Sequence, residues 1–161
     1  MTTDQGADAV RSDSKSFARL QWETWSPPGW FDDAEFEATA KSFENPDWSD
    51  ISLNAYRSRW KKEPSDDRYD ALRKRLASIE SLSTPALMIQ GNVDSCDPPS
   101  ESEGQDRYFT GNYRRALLEG VGHFPAREAP AIVATEVLSH LKKFATPTSN
   151  QRQKLESKKH I

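Results

Sequence analysis

The sequence predicts an α/β protein in which a helical segment leads into a strand–helix–strand–helix unit with parallel strands. Three observations carry that expectation. Ala86-Leu87-Met88-Ile89 is an unbroken apolar run of strand length that ends at Gly91. Ala116-Leu117-Leu118 is the apolar centre of a second strand that begins at Tyr113. Elsewhere, in residues 16–80 and again after Pro130, apolar residues recur at helical spacing. Two such strands with a helix between them form a parallel pair with a crossover.

The elements follow in order. Residues 1–15 are polar, rich in Asp, Thr, Ser, Gly and Gln, and read as a disordered leader. Residues 16–82 read as helical throughout. Phe17, Leu20 and Trp25 support a short helix that stops at Ser26-Pro27-Pro28-Gly29, which a helix does not easily cross. Asp32-Asp33-Ala34-Glu35 opens the next with acidic residues at its N-terminus, and Phe36, Ala40 and Phe43 follow at helical spacing. Asn45-Pro46-Asp47 reads as an N-cap with Pro at the first helical position, ahead of a helix running to about Lys62. After Pro64-Ser65, Tyr69, Leu72, Leu76 and Ile79 make the apolar face of a further helix.

The character changes at Thr84-Pro85, and residues 83–146 form the strand-containing part. Glu101–Phe109 reads as the helix between the strands, ending near Gly111. Pro130 opens the last helix, with Val133, Val137, Leu141 and Phe144 on one face. Residues 147–161 are polar and basic and read as a disordered tail.

Composition removes several classes of function. With 161 residues the chain fits one domain of moderate size. A net charge of −3 gives no reason to expect nucleic acid or an acidic membrane surface as a partner. No apolar run approaches the roughly 20 residues of a membrane span, and the N-terminus has no apolar stretch of the secretory kind. The single cysteine, Cys96, has no intramolecular partner, which fits a reducing compartment and the expectation of a cytoplasmic protein. No cofactor site is expected. Glu101, Glu103 and Asp106 form an acidic cluster, but no His accompanies them, so a solvated face accounts for them better than a metal.

Two short motifs carry the chemistry. Gly91-Asn92-Val93-Asp94 follows the first strand, and Gly120-Val121-Gly122-His123-Phe124-Pro125 follows the second. An acid after one strand and a histidine after the next are the last two members of an Asp/His/nucleophile triad. In such a triad the His moves protons to and from the reacting groups, and the Asp holds its other ring nitrogen and fixes the tautomer. From Thr84 to Pro130 the sequence resembles the last two strands of the α/β-hydrolase fold, as found in epoxide hydrolases, haloalkane dehalogenases and esterases. Its G-x-x-D and G-x-G-H-F turns match that family's acid and histidine turns. Residues 16–82 are similar to the lid (cap) that such enzymes insert before those strands. The resemblance implies Asp94 as the orienting acid and His123 as the general base. It implies hydrolysis of an ester, an epoxide or a carbon–halogen bond in a small apolar substrate.

The third member of the triad is missing. The family carries it earlier, on a G-x-S-x-G or G-x-D-x-G turn, and only Gly6 and Gly29 precede Gly91 here. The oxyanion-hole donors belong to the same missing part, and each is worth about 10²–10³ in rate. The expectation is therefore an incomplete α/β-hydrolase fold, truncated before its lid. Three functions follow: a family hydrolase known only by its second half, a non-catalytic remnant that acts by association, or one half of a two-chain hydrolase. A two-stranded sheet is marginal alone, so poor stability, self-association or pairing with a partner chain through the open sheet edge is also expected.

Other residues have quieter readings. Asp97 rivals Asp94 for the acid, or simply caps the following helix. Cys96 is a reactive thiol beside the site or an ordinary loop thiol. His140 and His160 read as solvated, and Arg114-Arg115 as a solubility device at a strand edge. Trp22, Trp25, Trp30, Trp48 and Trp60 either line a substrate pocket or serve helix–helix packing.

Overall fold

The computed structural model of the chain describes residues 1–60 and 66–144. The expected tail, 147–161, and the end of the helix expected to reach Lys62 lie outside them. The helical part holds α1 (Asp4–Ser12), α2 (Ser14–Trp25), α3 (Asp33–Ala40), α4 (Trp48–Arg59) and α5 (Asp70–Ala77). The second part holds β1 (Ala86–Gly91), β2 (Tyr113–Leu118), a one-turn α6 (Pro125–Glu128) and the long α7 (Pro130–Phe144).

The two strands pair in parallel, with Ala86 opposite Tyr113 and Gly91 opposite Leu118. This register brings the C-terminal ends of both strands level. The turns after Gly91 and Leu118, which carry Asp94 and His123, therefore start side by side. Among the described residues β1 pairs with β2 alone, so its other edge is open. The run Ala86–Ile89 is only half-buried, and full burial begins at Gln90 and Gly91.

The expected disordered leader is a helix. Thr3 caps α1 by accepting a hydrogen bond from the Gly6 N–H, and Ala7 and Val10 form a core with Leu53 of α4. Met1, Phe17 and Trp48 pack around it. Two small apolar residues among polar ones suffice because they meet a partner from another helix, which local composition does not reveal. The expected helix over 101–109 is instead two short 3₁₀ turns, Pro99–Ser102 and Gln105–Tyr108. Gly104 separates them at φ +66°, a left-handed conformation that no α-helix continues through.

α2 stops at Ser26 as expected, and α3 begins behind an Asp32 cap. An aromatic cluster joins this helical part to the second part. Trp22 packs on Trp30, Phe31 and Phe36 and reaches Phe124 in the histidine turn. No helix among the described residues is long and apolar enough to cross a membrane.

Candidate functional site

The site is built from two backbone turns locked against each other. Asn92 N–H donates to the Leu118 carbonyl at 2.9 Å, and Val93 N–H to the Val121 carbonyl at 3.1 Å. Gly120 N–H returns a bond to Asn92 Oδ1 at 2.8 Å. Glycine is required for this approach. A Cβ on Gly91 would stand 2.0 Å from the Val121 oxygen, and one on Gly122 would stand 2.5 Å from the Cα of Ser26. Gly120 makes the turn itself at φ +70°.

Asp94 is buried, with its side chain only 5% exposed. Its Oδ1 accepts the backbone N–H groups of Cys96 and Asp97, each at 2.9 Å. Its carboxylate also meets His123 Nδ1, at 2.9 Å from Oδ2 and 3.1 Å from Oδ1. An ionised carboxylate only accepts, so a neutral imidazole in this pair would carry its hydrogen on Nδ1 and its lone pair on Nε2. Three donors on one buried carboxylate leave it little freedom, and it holds the imidazole in one tautomer and one orientation.

The histidine turn is fixed from behind. His123 N–H lies 2.9 Å from Ser26 Oγ and 3.2 Å from the Trp25 carbonyl. Glu128, on α6, accepts Gly122 N–H at 2.6 Å, Phe124 N–H at 2.8 Å and Ser26 O–H at 2.6 Å. The imidazole stands edge-on to Trp25, with centroids 4.9 Å apart, and to Phe124 at 5.2 Å. Ser26 and Glu128 are the positioning residues that sequence reasoning missed. Glu128 is six positions from Gly122 and was within reach of a local reading, whereas Ser26 is 97 positions from His123 and left no signal.

His123 lines an open cleft of about 640 Å³ between the turns and the helical part. Phe17 and Trp25 of α2, with Tyr56 and Trp60 at the end of α4, form its apolar wall, and Cys96, Asp97 and Glu101 lie on the polar side. Of the five tryptophans, then, Trp25 and Trp60 face the cleft, Trp22 and Trp30 pack in the aromatic cluster, and Trp48 packs on Phe43.

The remaining candidates also find places. Asp97 caps nothing: the turn at Pro99 has no side-chain cap, and the Asp97 carbonyl accepts from Gln90 Nε2 at 2.7 Å. Cys96 is half-buried. Burial first, then the carboxylates of Asp97, Asp94 and Glu101, push its thiol above the usual cysteine range, so it is not a ready thiolate nucleophile. The arginine pair is no edge device. Arg115 donates to Ser102 Oγ at 2.8 Å within a network that includes buried Gln90, and Arg114 pairs with Glu136 of α7.

No family model matches the sequence, and no curated protein matches it. Among solved structures the chain is similar to one described as a putative epoxide hydrolase, from Klebsiella pneumoniae subsp. pneumoniae MGH 78578. The TM-score is 0.78 and the identity 30%, over 86% of this chain and 46% of that one. The chain thus spans somewhat under half the length of its structural neighbour, and over that span it has a hydrolase-like fold.

Proposed function

We propose that this chain carries the acid–base half of a hydrolase, with His123 as general base and Asp94 as its orienting acid. The observation that carries the reading is the 2.9 Å contact between His123 Nδ1 and a buried Asp94 carboxylate already held by two backbone N–H groups. The likeness to a protein described as a putative epoxide hydrolase supports it. In this reading the Nε2 lone pair faces the cleft. With a serine nucleophile it takes the hydroxyl proton and later activates water. With an aspartate nucleophile it activates water only. Asp94 stabilises the imidazolium formed in either case. The apolar wall of Phe17, Trp25, Tyr56 and Trp60 suits a small apolar substrate with an ester, epoxide or carbon–halogen bond. The nucleophile elbow and oxyanion donors are not recognisable in the sequence.

The test is hydrolysis of a generic ester and a generic epoxide by the purified chain beside His123→Ala. Turnover abolished in the variant assigns the base role to His123. Turnover that is absent, or equal in both proteins, removes catalytic use of the pair in this chain by itself.

A second reading, action by association with another chain, is favoured by one observation. Leu72 and Leu76 on α5, with Ile132, Leu138 and Leu141 on α7, are all exposed. In a two-chain hydrolase the partner would cover these faces and bring the nucleophile. Co-purification of a chain that restores turnover tests it.

A further inference from the structure

Beside the acid–base pair lies a second arrangement with different chemistry. Cys96 Sγ, a carboxylate oxygen of Asp97 and a ring nitrogen of His123 all lie within 4.8 Å of one another. Cys96 and Asp97 are adjacent on one turn, and His123 comes from the other. Sequence reading passed over this set because it looked for ligands near the acidic cluster at 101–106, where no histidine stands.

We infer that Cys96, Asp97 and His123 bind a divalent transition metal of the zinc type, with three protein ligands and one position open to the cleft. Thiolate, imidazole and carboxylate together are a zinc donor set, and three ligands with an open fourth position are the catalytic form of such a site. Zinc–ligand bonds of about 2.0–2.3 Å put tetrahedral ligand atoms roughly 3.3–3.6 Å apart, so side-chain movements of roughly 1 Å close the site. Asp97 is exposed and Cys96 half-buried, so these two side chains make the movement while His123 stays held by Asp94.

Asp94 supplies the independent argument. A metal-bound histidine almost always gives its other ring N–H to a carboxylate, which fixes the tautomer and raises its basicity. His123 Nδ1 is held in this way, leaving Nε2 for the metal. The same carboxylate also accepts the backbone N–H groups of Cys96 and Asp97. One buried aspartate therefore organises the backbone or ring of all three ligands. The local charge agrees: Glu101 lines the same cleft as Cys96, Asp97 and His123 and adds negative charge where a cation would enter. On binding, the Cys96 thiol releases its proton to solvent as the sulfur–metal bond forms.

This site goes beyond the hydrolase reading and competes with it. A metal on Nε2 occupies the lone pair that a general base uses, so a given molecule serves one role or the other.

The experiment is a Co²⁺ titration of the purified full-length chain, with Zn²⁺ as competitor. Cys96 is the only cysteine, so a sulfur-to-cobalt charge-transfer band can arise nowhere else. One equivalent of Co²⁺ is expected to give that band together with the intense visible absorption of a tetrahedral ion, and Zn²⁺ is expected to abolish both. Cys96→Ser is expected to lose the band. Asp97→Asn and His123→Gln are expected to weaken binding at least 10-fold, and Asp94→Asn about 10–100-fold through the lost orientation. His140→Gln, distant in sequence, is the control and is expected to bind like the parent. Circular dichroism on each variant separates loss of ligand from loss of fold. Weak, pale, octahedral cobalt with no charge-transfer band overturns the site, as does a band that survives in folded His123→Gln.

Discussion

The helical part and the strand-containing part of this chain differ in how far they enclose their largest apolar residues. In the helical part they meet one another: Phe36 and Val10 are fully enclosed, and Leu53 is 2% exposed. In the second part the long helix α7 has no fully buried residue, and Ile132, Leu138 and Leu141 are each more than half exposed. Within the helical part α5 is open in the same way, with Leu76 58% exposed, and Leu20, Ile51 and Trp60 are exposed as well. The helical part thus encloses a core of large side chains, whereas α7 encloses none of its own. Parallel strands are ordinarily enclosed on both sides, and here β1 keeps an open edge among the described residues.

The largest expected effect tests that contrast directly. Phe36→Ala removes a fully buried aromatic that contacts Trp22, Phe31 and Phe43, and it is expected to cost about 3–5 kcal/mol. Ile132→Ala on α7, in the second part, is expected to change stability by no more than about 0.5 kcal/mol, because the side chain is more than half exposed. Chemical denaturation of both variants gives the comparison. Equal losses would mean that α7 has a covered face, and the contrast between the parts would fail.

Gly91→Ala comes next. The added methyl meets the Val121 carbonyl at 2.0 Å, and neither partner is a flexible side chain. Backbone displacement is expected to cost about 1–3 kcal/mol or more. It would also part the two turns, so the His123 ring resonances are expected to shift even where the variant stays folded. An unshifted ring spectrum in a stable variant would show that the turns do not depend on this close approach.

The third effect concerns what covers α7. Replacing Leu138 and Leu141 together with Ser is expected to leave the monomer's stability within about 1 kcal/mol, since both are exposed. Sedimentation velocity of the parent is expected to show concentration-dependent association that this double variant reduces. A parent that sediments as one species at every concentration would remove self-association from consideration.

How much of this was legible in sequence depends on the range of the interaction. Both strands, their order and the positions of Asp94 and His123 could be read, because an apolar run and a glycine-bounded turn are local signals. The helix at Asp4–Ser12 could not, because Ala7 and Val10 are buried by Leu53, a residue far along the chain. The 3₁₀ turns around Gly104 were misread as one helix, since acidic and polar residues at 101–109 suit an exposed helix and a single positive φ decides otherwise. Arg115 looked like an exposed edge charge until Ser102 and the Pro99 carbonyl gave it partners. Ser26 is the extreme case: it looked like the end of a helix, and it proves to hold the catalytic candidate's backbone.

The smallest expected effect sharpens the comparison at the helix ends. Thr3, Asp13 and Asp32 each cap a helix of the first part through the side chain, whereas α4 and α5 there, and the 3₁₀ turns and α6 of the second part, have no such cap. Asp13 joins two helices, because its N–H closes α1 on the Ala9 carbonyl while its carboxylate accepts Ser16 N–H at 2.9 Å. The hydrogen bonds from Ser16 hold its carboxyl below the usual aspartate range. A lowered folded value means that the contribution is present above the unfolded value and is lost as pH falls through the folded one, below about pH 4. Asn caps nearly as well as Asp but does not titrate there. Asp13→Asn is therefore expected to match the parent near neutral pH and to lose slightly less stability on acidification, whereas Asp13→Ala is expected to be weaker at both. Thermal melts followed by helical circular dichroism at neutral and acid pH read the difference. If parent and Asp13→Asn fall by the same amount, the carboxylate is not what ties α1 to α2, and the self-sufficiency of the helical part rests on its core alone.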